Sequence, residues 1–288
     1  MKKVLVLILC VLFLLPNTLT SINSIYYVTE DELIARYFNK YDDLSADEWY
    51  AIGVAICFYR GYLIVPTSKT TFSPYKPLTR EEALRLLMES YYLIYTVKRT
   101  EDKYPEEIDA ENAYDVADKL GCDLSDKGKP VFSDVDESEW YYEWVYLAYK
   151  LGLTAGIGNG EFGAGKPIKR QDFAVMVQRC LYLDSCKGYG EYTEFYSDET
   201  KVKTFADYEE LSPYALNAMT FLCGTNKYSI RSGSTGNAIR TRDYGPLFQG
   251  YNGYLKPRDY ITRAEAACIY YDIVYPLMAW QEDTALGS

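Results

Sequence analysis

The chain has 288 residues, 41 acidic against 30 basic side chains, a formal charge of −11 at pH 7 and no histidine. So acidic a surface argues against nucleic acid and anionic membranes as general partners. The missing histidine removes Ser-His and Cys-His nucleophiles and the commonest zinc ligand, and no cofactor or metal is expected.

Lys2 and Lys3 precede the apolar run Val4 to Leu15, followed by Pro16 and a small-x-small exit at Thr18-Leu19-Thr20. This is the pattern of a secretory signal peptide over 1–20, and the run is short for a bilayer-spanning helix. The expected mature chain begins near Ser21 and is exported, with no membrane contact in that form. Six cysteines then remain: Cys57, Cys122, Cys180, Cys186, Cys223 and Cys268. An even count permits three bridges, with Cys180–Cys186 the best local pair. The other reading places Cys57, Cys180 and Cys268 on apolar helix faces as small hydrophobes.

From there the same unit recurs three times: an acidic turn, an aromatic-rich helix, a loop, and a second helix opening on an arginine. Asp43, Asp134 and Asp207 are each followed six residues later by Trp49, Trp140 and Pro213. Trp140, Trp144, Leu147, Ala148 and Leu151 then read as one apolar helical stripe. Gly61 and Gly152 stand where a C-terminal glycine cap belongs. With Arg80, Arg170 and Arg263 in register, Ala83, Leu86 and Leu87 align with Phe173, Met176 and Val177. In the third unit the same slots hold Ala266, Ile269 and Tyr270, so each copy shows one buried helix face.

The expected repeats span 26–95, 131–183 and 205–276, separated by connectors over 96–130 and 184–204. The first connector has a candidate extra helix over 106–120. The third unit carries the longest loop, Thr225 to Tyr260. A unit of this size cannot bury its apolar face alone and must stack on its sisters. The expectation is a mainly α fold of three helix-loop-helix repeats around one shared core, with no large sheet.

Thr79-Arg80-Glu81-Glu82 and Thr262-Arg263-Ala264-Glu265 fit a capping box, threonine at N-cap and glutamate at N3. The arginines need another reason, because a cation at the first helical position opposes the helix dipole. Free N–H groups beside a guanidinium form a local anion site. The alternative is an internal ion pair, each arginine holding a neighbouring unit's acidic turn such as Asp134 or Asp207. Trp49 and Trp140 fit either a sugar platform or a core role. Gly158 and Gly160 fit turn positions that also allow close approach of a saccharide.

FSDVDESEW, GLTAGIGNGEF and KPIKRQDF in the second unit, FADYEELSPYA and ITRAE in the third, and FSPYKPLTREE in the first together resemble the S-layer homology (SLH) domain of bacterial surface proteins. The resemblance implies a pseudo-trimeric bundle with grooves between units. It also implies non-covalent, non-catalytic attachment to secondary cell-wall polysaccharide, often carrying a ketal-linked pyruvate, and a place at the cell wall. On that reading the ligand-binding candidates are Arg80, Arg170, Arg263, Trp49, Trp140, Asp134, Gly158 and Gly160. Arg263 is the first choice because its flanks match the family best, and Arg80 the last. The alternatives are a surface adhesin or scaffold that binds another protein, and a wall-glycan hydrolase using paired carboxylates. The second of these rests on composition alone.

Overall fold

The computed structural model describes residues 30–59, 63–97, 114, 117–118, 121–185, 191–232, 238–243, 246 and 248–274. The signal-peptide segment, Gly61 and Cys186 lie outside them. Of the candidate helix over 106–120, Tyr114, Ala117 and Asp118 are described, and all three are helical.

Seven α-helices are described, and the chain is mainly helical. A helix with no described counterpart in the other two units, α1 (Glu30–Phe38), lies in the first unit ahead of its acidic turn at Asp43. The first helices of the three units are α2 (Ala51–Tyr59), α4 (Tyr142–Lys150) and α6 (Leu216–Gly224). The second helices are α3 (Arg80–Val97), α5 (Arg170–Ser185) and α7 (Arg263–Ile269), each opening on its arginine. The last runs on into a wider turn over Tyr270–Val274.

Isolated bridges between the residues just before the second helices tie the units into a ring. Leu78 N–H donates to the Ile261 carbonyl at 2.9 Å, Ile168 N–H to Leu78 at 2.9 Å, and Ile261 N–H to Ile168 at 3.1 Å. Three bonds that close on themselves define a pseudo-threefold axis, and these three side chains are fully buried on it. Around this plug a single hydrophobic cluster draws on all three units, including Ile56, Leu86, Leu147, Phe173, Met219 and Ala266. One shared core is what a repeat with a single apolar face requires.

A small antiparallel sheet is added at one side, in the order β1 (Glu191–Ser197), β2 (Thr225–Ser232), β3 (Ala238–Asp243). It lies in the segments read from sequence as the second connector and the long third loop. Its β1–β2 pairing joins Glu191 to Ser232 and Phe195 to Tyr228, so its partners are distant in sequence and no local pattern announces them. Gly224, at the join of α6 and β2, allows the close approach: a Cβ there would lie 2.2 Å from the Asp198 carbonyl oxygen.

Candidate functional site

The conserved geometry of the three units begins at the acidic turn. Asp43 accepts hydrogen bonds from Phe72 N–H at 2.9 Å and Ser73 N–H at 2.6 Å. Asp134 accepts from Phe162 and Gly163 at 2.7 Å each and from Ala164 at 3.0 Å. Asp207 accepts from Leu255 at 2.8 Å and Lys256 at 2.7 Å. Consecutive N–H groups can converge on one carboxylate because the second residue is left-handed, with φ of 60° at Ser73, 87° at Gly163 and 52° at Lys256. Partial burial acts to raise the Asp134 pKa, but the three backbone donors hold this carboxyl below the ordinary carboxylate range.

The loop carbonyl just before each left-handed residue then receives an arginine from the preceding unit. Arg80 Nε donates to Phe162 O at 2.8 Å, Arg170 Nε to Leu255 O at 2.9 Å, and Arg263 Nε to Phe72 O at 3.0 Å. Each guanidinium also lies over an aromatic ring, 5.3 Å from Phe162, 5.4 Å from Phe248 and 4.8 Å from Phe72. All three side chains are buried, Arg263 completely.

Each guanidinium also faces the N3 acid of the next unit. Arg263 Nη1 is 2.5 Å from Glu82 Oε1 and Arg170 Nη1 is 2.8 Å from Glu265 Oε1. The other oxygen of each glutamate caps its own helix, accepting from Thr79 N–H at 2.9 Å and Thr262 N–H at 2.8 Å. The capping glutamates thus serve two units at once, a role their sequence position did not reveal. The internal partners are these glutamates and the loop carbonyls, whereas Asp134 and Asp207 organise the loops that present those carbonyls.

The second unit breaks this symmetry. Lys169 replaces the capping threonine and Asp172 the glutamate, and Arg80 Nη1 stands 3.9 Å from Asp172 Oδ2. The other Asp172 oxygen accepts a short hydrogen bond from the Tyr214 hydroxyl. Gln171 Nε2 in turn donates to Tyr214 Oη at 2.9 Å and Ser212 Oγ at 3.0 Å.

Trp49 and Trp140 occupy equivalent places, 56% and 51% exposed. The helices begin two residues later, at Ala51 and Tyr142, so Trp140 stands in the turn before α4, outside the buried stripe. Each packs edge-on against the following tyrosine, Tyr50 at 5.5 Å and Tyr141 at 5.4 Å between ring centroids. The Arg85 guanidinium lies 5.7 Å from the Trp140 ring centre. Gly158 and Gly160 shape the hairpin between Ile157 and Glu161, both at positive φ with open space beside them. The glycine that meets an arginine is Gly163, where a Cβ would lie 3.0 Å from Arg80 Cδ. Its FGAG context carried no separate sequence signal.

Cys57, Cys180 and Cys223 are buried thiols, and Cys122 and Cys268 are partly buried ones. Among the described residues no cluster of acids and cysteines is arranged to hold a metal ion. No described helix is long and apolar enough to cross a membrane.

The family model for the S-layer homology domain matches residues 40–84, 131–174 and 243–267, one stretch in each unit. Curated relatives include an endoglucanase of Bacillus sp. (strain KSM-635), 28% identical over 162 residues, which is 56% of this chain and 14% of that protein. The surface-layer 125 kDa protein of Lysinibacillus sphaericus is 27% identical over 154 residues, 52% of this chain and 10% of that protein. The middle cell wall protein of Brevibacillus brevis is 38% identical over 58 residues, 20% of this chain and 6% of that protein. The chain thus spans a small fraction of the length of each relative. It carries three tandem S-layer homology repeats.

Proposed function

We propose that this chain, with its three S-layer homology repeats, is a non-catalytic cell-surface module that holds its protein on the bacterial wall. The observation that carries this reading is the match of all three units to one family, arranged around a single core. The relatives bear unlike names, an endoglucanase beside surface-layer and cell-wall proteins, and each shares only a short part of its length with this chain. A segment common to such different proteins is one that locates them.

The ligand is secondary cell-wall polysaccharide, in a form bearing acidic substituents such as a ketal-linked pyruvate. Of the three arginines at the unit boundaries, Arg170 and Arg263 are committed to Glu265 and Glu82, and Arg80, 3.9 Å from Asp172, is the cation that can meet a carboxylate through charge-assisted hydrogen bonds. Exposed Trp49 and Trp140 offer ring faces to sugars. Asp134, Gly158 and Gly160 shape the loop of the second unit that borders this surface. A strongly acidic protein can take an acidic polymer through local contacts, because wall salt screens the remaining charge within about 10 Å. Neither a nucleic acid nor a cofactor is needed, and the protein resides at the cell wall.

The test is co-sedimentation of the full chain with purified walls, intact and after hydrofluoric acid extraction of the secondary polymer, and after mild acid removal of pyruvate. Binding to intact walls and its loss on extraction are expected. Equal binding to extracted walls would sink the polysaccharide reading, and loss only on pyruvate removal would identify the acidic substituent.

A further inference from the structure

Two connectors join the first unit to the second and the second to the third, so the seam between the third unit and the first has no peptide link of its own. Across that seam α2 and α7 meet with their backbones almost touching. A Cβ at Gly53 would lie 2.9 Å from Cys268 Cα and 3.0 Å from both its backbone nitrogen and its Sγ. Any larger residue at Gly53 would push α7 away, so the glycine is what lets the two helices approach so closely.

That approach brings two cysteines together. Cys57 stands one turn beyond Gly53 on the same face of α2, and a helical side chain leans back over the turn before it. The Cys57 sulfur is thereby directed toward the patch over Gly53, where Cys268 Sγ lies. Cys57 is fully buried, and Cys268 packs against the same core from a partly buried position. Burial pushes the Cys57 thiol well above its ordinary range, and the neighbouring Cys268 raises it further. Burial likewise pushes the Cys268 thiol up to about 12. A thiol used as a nucleophile or a metal ligand needs the opposite shift. Among the described residues, neither cysteine belongs to a cluster that could hold a metal.

We propose that Cys57 and Cys268 are the two halves of a disulfide that bonds the first unit to the third and closes the ring covalently. The chain resides at the cell wall, outside the reducing cytoplasm, where such bridges persist. The oxidant is an organic disulfide, carried by an exported oxidoreductase or a small thiol compound. During folding, before burial raises both thiols, the Cys268 thiolate attacks one sulfur of that disulfide and expels the other as thiolate. The Cys57 thiolate then attacks Cys268 Sγ in the mixed disulfide and expels the second. Two thiol protons are released, two electrons pass to the oxidant, and one S–S bond replaces another. The new bond stands beside the Arg263–Glu82 pair at the same seam and does there what the connectors do at the other two. It encloses most of the repeat region in one loop, and so restricts the unfolded chain strongly.

The experiment takes the full chain from the wall of the cells that export it and denatures it in N-ethylmaleimide, which blocks free thiols and stops exchange. Digestion without reductant, followed by mass spectrometry, is expected to return one linked pair of peptides carrying Cys57 and Cys268. Thermal unfolding of the parent and of Cys268→Ala is then compared with and without a phosphine reductant. Reduction should lower the melting temperature of the parent by about 5–10 °C more than that of the variant. The comparison of shifts discounts any small packing loss from the substitution itself and any bridge elsewhere in the chain. The proposal is overturned if Cys57 and Cys268 are both recovered as blocked thiols, or if either is joined to a different cysteine. Equal reductant shifts in parent and variant would overturn it as well.

Discussion

Arg263 and Glu82 stand 181 positions apart in the chain and 2.5 Å apart in space. Their contact closes the third unit onto the first, as Arg170 and Glu265 close the second onto the third. A ring of this kind makes every unit dependent on the other two. It also explains a cation at a helix start: the guanidinium points into the neighbouring unit, where a carboxylate, a carbonyl and a ring face offset the unfavourable dipole.

Arg263→Ala should therefore be among the most destabilising single changes. It leaves Glu82 without its cationic partner and the Phe72 carbonyl unbonded at a fully buried position. Breaking a buried pair from one side costs about 3–5 kcal/mol. Urea unfolding of the variant checks this, and a loss below about 1 kcal/mol would show that the ring is not coupled.

Acid should loosen the second unit through Asp134. Its pKa in the folded chain lies below the unfolded value, which is about 3.9. The stabilisation is therefore present above that value and lost as pH falls through the folded one. Asp134→Asn should cost about 2–3 kcal/mol at pH 7, since three backbone donors lose a charged acceptor. The gap between variant and parent should shrink as pH drops below about 4, as read by denaturant unfolding across pH. A gap constant with pH would contradict the assignment.

Two glycines of the hairpin should respond differently to alanine. Gly160 has φ of 75° and open space, so only the left-handed backbone is penalised, by about 1–2 kcal/mol. At Gly156, with φ of 76°, a Cβ would also lie 2.3 Å from the Glu161 carbonyl oxygen and 2.6 Å from the Phe132 ring. That overlap adds roughly 1–3 kcal/mol. Melting of the two variants side by side orders them, and equal losses would refute the packing account.

Trp49→Ala and Trp140→Ala should separate binding from stability. Both rings are more than half exposed, so unfolding free energy should change by less than about 1 kcal/mol. Loss of an aromatic platform is worth about 0.5–1.5 kcal/mol, a twofold to tenfold weakening on walls. If both variants melt early and bind normally, these tryptophans are structural.

The repeat itself was legible in the chain. Apolar residues at helical spacing after Arg80, Arg170 and Arg263, and the capping boxes at Thr79 and Thr262, are local patterns set by helix geometry. They determined three second helices, their starts and their buried faces, and hence a shared core. The exposure of Trp140 was not legible, because its offset fits the stripe of α4 although the helix opens only at Tyr142.

What tertiary structure alone decided is which groups meet. No spacing rule pairs Arg263 with Glu82, joins β1 to β2, or sets Gly163 against Arg80, because each contact spans a long stretch of chain. The difference among the arginines belongs to the same class. In sequence Arg80 has weaker credentials than Arg263, yet Arg263 is fully bonded and Arg80 is not. That inequality arises because Asp172 is one methylene too short to span two units, a length that matters only once the units are side by side.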